Sequence, residues 1–173
     1  MYKNMVSALF LTERDTDEFD ENAPKVRGRI ITTLQKAKEI RPMVERCITI
    51  ARKGLAAEDA ARSFGTTADR GSAAYKAWRE GDQWKSWAKA MAPAVAARRQ
   101  LVRMIGDKQA VRILFDKIAP RYVDRAGGFT RIVRLAEPRL GDNGIRAILE
   151  LVGVRDRQVQ ASQAPKFEDN DAK

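Results

Sequence analysis

The stretch APRYVDRAGGFTRIVRL, Ala119–Leu135, decides how this chain reads. Arg121, Arg125, Arg131 and Arg134 punctuate it, and Gly127-Gly128 splits it in the middle. Before the glycines the pattern is that of a helix end. After them comes a β-branched run of strand character. A glycine pair at such a junction either brings backbone close to a ligand or folds two cationic elements onto one face.

The composition favours the second use. The 173 residues form one domain, long enough to bury a real core, and the hydrophobic fraction of 44% is ordinary for a globular chain. The net charge of +10 is not ordinary, and the sequence pI is near 10.0. It is also uneven: residues 1–24 carry −4, residues 25–157 carry +15 and the tail from Gln158 carries −1. A field of that sign and strength selects polyanions, either nucleic acid or an anionic surface.

The residues that are missing exclude other classes. With no His and only Cys47, a disulfide within the chain, a Cys/His zinc site and a histidine general base are all ruled out. No signal peptide or membrane-length apolar segment is present, so a cytoplasmic protein is expected. GTTADRGS, Gly65–Ser72, has the wrong spacing for a phosphate loop and lacks its lysine. Cys47 falls on the apolar face of a helix and reads as a small buried hydrophobe. Most carboxylates lie in loops or four residues from a base, as Glu45 does from Arg41. No catalytic residue, metal site, cofactor or small-molecule substrate is expected.

Local patterns give the architecture. MYKNMVSALFLTE is an uncapped helix, and the acidic loop RDTDEFDENAPK follows it. A short strand around RIITT leads into a helix that Thr33 would cap. Its apolar face is Ala37, Ile40, Val44, Cys47, Ile48 and Ala51, and Gly54 is expected to end it near Lys53. Pro42 is expected to kink it. Leu55–Ala94 holds Trp78, Trp84 and Trp87 and reads as two short helices joined at Gly81-Asp82. Asp107 should cap a helix with the stripe Val111, Leu114, Phe115 and Ile118. Two strands, FTRIVRL and IRAILELVGV, then flank a turn at Asn143-Gly144. The expected fold is α+β: several helices on one face of a small three-stranded sheet, mixed or antiparallel, with a helical-hairpin insertion. Residues 155–173 are expected to be a disordered polar tail.

The cations then fall into groups. Lys36, Lys38 and Arg41 open one helix, and Arg98, Arg99 and Arg103 share a face of another. Arg121, Arg125, Arg131, Arg134 and Arg139 bracket the glycine pair and its hairpin. Lys3 and Arg27 complete the set. Guanidinium grips phosphate oxygens in a bidentate fork, and a merely solvated surface does not account for the depletion of acid around these elements. The glycines would let helix-end and strand arginines share one phosphate-facing surface.

Three longer stretches carry a family likeness. RIITTLQKAKEIRPMVERCITIARKG resembles the strand–helix signature of bacterial large-subunit ribosomal protein seventeen. RRQLVRMIGDKQAVRILFDKIAPRYVDRAGGFTRIVRL resembles the second half of that family more closely, and LGDNG, AILELV and MYKNMVSALF extend the match. The resemblance implies a non-enzymatic, structural component of the large ribosomal subunit. Its partners would be large-subunit rRNA near the exit of the nascent-chain tunnel and neighbouring ribosomal proteins, with no membrane. The cations named above, Arg134 apart, then become the rRNA-contact candidates. Residues 1–154 would form a single rRNA-binding domain with an acidic loop inserted at 15–25 and a helical segment inserted at 55–94. Family members usually begin with a basic leader, so chain upstream of Met1 is expected. The alternatives are a free-standing basic RNA- or DNA-binding regulator, or a small enzyme with a carboxylate pair.

Overall fold

The computed structural model describes residues 1–17 and 19–153, so the expected polar tail lies outside the described residues. Helix α1, Tyr2–Leu11, opens on Met1 without a side-chain cap and buries Val6, Leu9 and Phe10. Strand β1 is Arg29–Thr33, and helix α2, Leu34–Arg62, starts directly from it. Thr33 holds the N-cap position with extended dihedrals, but its side chain makes no capping bond. Helices α3, Ala73–Glu80, and α4, Asp82–Ile105, follow. Helix α5, Lys108–Ile113, begins at the expected cap, where the Asp107 carboxylate accepts from Gln109 N at 2.8 Å and Ala110 N at 3.2 Å. It widens into a π turn at Leu114–Ile118 and tightens to a 3₁₀ turn at Ala119–Tyr122. Strands β2, Thr130–Arg134, and β3, Arg146–Leu151, close the fold.

The sheet is antiparallel throughout, in the order β1-β3-β2. Alternation assigns its faces. Ala147, Leu149 and Leu151 of β3 are buried and join the helices in one core, with Ile30 and Ile132 packed beside them. The opposite face carries Ile31, Ile148 and Val133 in one cross-strand row, and Arg29, Glu150 and Arg131 in the next. The expected fold class is the observed one.

One boundary differs, and the reason is packing. Gly54 does not end a helix: α2 runs through it for another eight residues. Gly54 is buried where α2 crosses α4 and the π turn, and a Cβ there would lie 2.8 Å from Phe115 Cε1 and 3.2 Å from Ala97 Cβ. The glycine permits close helix approach, a use the flanking Arg52 and Lys53 disguise as a C-cap. Pro42 likewise sits inside an unbroken helix. The segment 55–94 is therefore no pair of short helices on a link. It comprises the end of α2, the short α3 and the start of a single long α4, and Gly81 separates α3 from α4 as expected.

At the tip of this long hairpin three of the rings, those of Tyr75, Trp78 and Trp87, meet. Tyr75 and Trp78 centroids are 5.6 Å apart, Trp78 and Trp87 are 5.7 Å apart edge to face, and Trp78 Nε1 donates to Phe64 O at 3.0 Å. None of the α3 residues is buried, so this is a small, half-open cluster.

Candidate nucleic-acid interface

The cations around the glycine pair are drawn to carboxylates. Arg121 Nη1 and Nη2 donate to the two oxygens of Glu13 at 3.0 and 2.6 Å, closing a bidentate fork across the fold. Glu13 is only 4% exposed, and its hydrogen bonds hold the Arg121 guanidinium above its ordinary pKa. Arg131 pairs with Glu150 across the strands, as their register requires. Arg139 Nε donates to Asp142 at 2.8 Å, and that hydrogen bond, with a second from Gly144 N, pulls the Asp142 carboxyl down to about 2.

The glycine pair shapes a turn rather than a ligand cradle. Gly128 takes the left-handed backbone, φ +65°, and Arg125 Nε donates to Gly127 O at 3.1 Å. Arg52, which is not among the contact candidates, holds this turn from α2. Its Nη2 donates to Val123 O at 2.8 Å and its guanidinium lies 5.6 Å from the Phe129 ring centre. Tyr122 packs at a tilt against Phe129, ring centres 5.1 Å apart, and donates its hydroxyl to Val152 O at 2.6 Å. These contacts pin the helix end to the sheet.

The acidic loop works inward. Asp15 pairs with Lys117, whose Nζ also donates to Glu13 O at 3.1 Å, and the Lys117 hydrogen bond lowers the Asp15 pKa. Arg14 bridges to Asp20. Thr12 Oγ1 accepts from Gly28 N at 2.9 Å, tying the end of α1 to the entry of β1.

The helical cations divide in two. Arg98 is held by Glu58 through Nε and Nη2, at 2.9 and 2.8 Å, and stacks 4.1 Å from the Phe115 ring centre. Arg41 Nε reaches Glu45 Oε1 at 3.3 Å, and the same oxygen accepts from the buried Thr130 hydroxyl at 2.9 Å. Lys3, Arg27, Lys38, Arg99 and Arg103 are exposed and Lys36 is half-buried, and none has a hydrogen-bond or ion-pair partner among the described residues. Lys89, Lys108 and Arg112 belong to the same exposed class. Sequence reasoning missed Lys108 and Arg112, although the two stand four residues apart on α5, which was signal enough.

Among the described residues, no cluster of three or more metal-binding side chains occurs and no helix is long and apolar enough to cross a membrane. What the surface offers is cationic groups on rigid helices, some held in place and some free. The profile of the family Ribosomal protein L17 matches residues 1–152. This chain belongs to that family. It is 59% identical over 97% of its length to large ribosomal subunit protein bL17 of Rhodopirellula baltica, covering 80% of that protein. To bL17 of Bradyrhizobium diazoefficiens it is 33% identical over 93% of the chain and 75% of that protein. To bL17 of Thermus thermophilus it is 36% identical over 72% of the chain and 73% of that protein. The family is one of structural ribosomal proteins, not of enzymes.

Proposed function

We propose that this chain is a structural constituent of the large ribosomal subunit that binds large-subunit rRNA near the nascent-chain exit tunnel, in the cytoplasm. The observation that carries the reading is the family match across residues 1–152, joined to a set of exposed cations that no carboxylate neutralises. Residues 1–154 act as one rRNA-binding domain, into which 15–25 and 55–94 are inserted. The free cations Lys36, Lys38, Arg99 and Arg103 contact phosphates directly, as does Arg125 while its Nε is held by Gly127 O, with Lys3 and Arg27 at the edge of the surface. Arg41, Arg98, Arg121, Arg131 and Arg139 contribute charge while anchored to their own carboxylates.

Co-sedimentation tests the assembly claim. The purified chain should travel with large subunits at high salt once incorporated, whereas a free-standing regulator of RNA or DNA would wash away. Binding to protein-free large-subunit rRNA tests the surface. With six to ten phosphate contacts, affinity should fall roughly 10³–10⁵-fold between 50 and 200 mM salt, by the counterion-release relation calibrated on DNA. A flat response removes the cationic surface as the binding face.

A further inference from the structure

An open groove of about 600 Å³ lies between the C-terminal part of α4 and α5, lined by Arg98, Val102, Lys108, Gln109, Val111 and Arg112. Three of its six lining residues are cations and none is acidic. Lys108 and Arg112 stand four residues apart on one face of α5, both exposed and both without a partner among the described residues. The nearby carboxylate, Asp107, is turned to the backbone amides of Gln109 and Ala110.

Arg98 differs from its neighbours in being fixed before any ligand arrives. Glu58 holds it by two N–H groups and Phe115 supports its plane, which leaves three of the five guanidinium donors without a protein partner. Ordering that side chain on binding therefore costs little entropy. Val102 and Val111 line the groove alongside the cations.

From this arrangement we infer that the α4–α5 groove is a docking site for the sugar–phosphate backbone of RNA, with Lys108 and Arg112 as its phosphate-contacting residues. The cores of protein–protein interfaces are depleted of charge, whereas half of the residues lining this groove are cations. Lys and Arg on a rigid helix, aimed into an open channel without carboxylates, suit a phosphate chain. The inference rests on the rRNA-binding reading and adds to it a specific site and two residues.

The Lys108→Ala/Arg112→Ala double variant of the full chain tests it against protein-free large-subunit rRNA over 50–200 mM KCl. Both side chains are exposed, so the variant should melt with the wild type. Its plot of log affinity against log salt should be shallower by about two, one per lost phosphate contact. A wild type that shows no salt-dependent binding sinks the rRNA reading and the groove together. A steep wild type with an equally steep variant overturns the groove alone. Loss of the variant from assembled subunits at unchanged salt slope assigns the groove to a protein partner, which also overturns the inference. Gln109→Cys, carrying a tethered iron chelate, supplies an independent readout. Cys47 is fully buried and its thiol is pushed up to about 12 by burial, so the new cysteine alone takes the probe. Radical cleavage should concentrate at one compact set of rRNA positions, and cleavage no stronger than that of probe-treated wild type overturns the site.

Discussion

Two groups of cations in this molecule look alike in sequence and behave differently in space. Arg121, Arg131 and Arg139, around the glycine pair, are each gripped by a carboxylate. Arg99, Arg103, Lys108 and Arg112, on α4 and α5, face solvent unopposed. The first group organises the fold: Arg121 bolts the end of α1 to the helix end before β2, and Arg131 cross-links two strands. The second group organises nothing inside the molecule, so its full charge remains for a ligand. Counting arginines thus overestimates the interface wherever a carboxylate stands within reach.

The largest expected effect sharpens that contrast. Arg99→Glu with Arg103→Glu should weaken rRNA binding at least a hundredfold, about tenfold per reversed cation, from the lost charged hydrogen bonds alone. Arg131→Ala should weaken it by less than about threefold, since Glu150 already claims that charge. Filter binding at fixed salt reads both. Equal losses would erase the distinction between the two groups.

Glu13→Gln should break the contrast from the other side. Removing the buried carboxylate partner should destabilise the protein by about 1–2 kcal/mol, the low end for charged hydrogen bonds because Arg121 is partly in solvent. That corresponds to a Tm lower by about 2–8 °C for a chain of this size. The released Arg121 should meanwhile raise rRNA affinity or leave it unchanged. A variant with unaltered Tm would show that the fork contributes nothing to the fold.

The smallest effect is local and depends on pH. Asp142 is depressed in the fold, so the stability it contributes is present above its ordinary value of 3.8 and disappears as pH falls through about 2. Carboxyl carbon shifts followed by NMR should place its midpoint near 2. Arg139→Ala should move that midpoint most of the way back toward 3.8, because the Arg139 hydrogen bond is the main cause of the shift. A midpoint that ignores the substitution would mean the exposed pair does not persist in solution.

The sequence revealed what is local and concealed what is not. Asp107 as a cap, the three strands and the apolar stripe of α2 all follow from spacing over a few residues, and the structure agrees. Gly54 was misread because Gly after Arg-Lys is a common helix ending. The residue that gives it another purpose, Phe115, lies 61 positions further along the chain. The cationic character of the surface was likewise legible, and its division was not. Glu13 and Arg121 are separated by 108 residues and Arg98 and Glu58 by 40, distances at which no periodicity reveals a pair. Arg41 with Glu45, at helical spacing, is the ion pair that sequence did foresee.

The strand order has a consequence for how the chain comes together in time. β3 lies between β1 and β2, and the two outer strands do not touch, so neither has a ladder partner until residues 146–151 have been synthesised. Every β1 pairing spans more than a hundred residues, from Arg29 with Glu150 to Thr33 with Arg146. Such distant closure is slow, because loop entropy is lost before any contact compensates it. The α2–α4 hairpin has no such delay and can form as soon as it emerges. Nascent chains should therefore pass through a helical stage in which β1 and β2 stand open as sticky edges, closed at last by the arrival of a single six-residue strand.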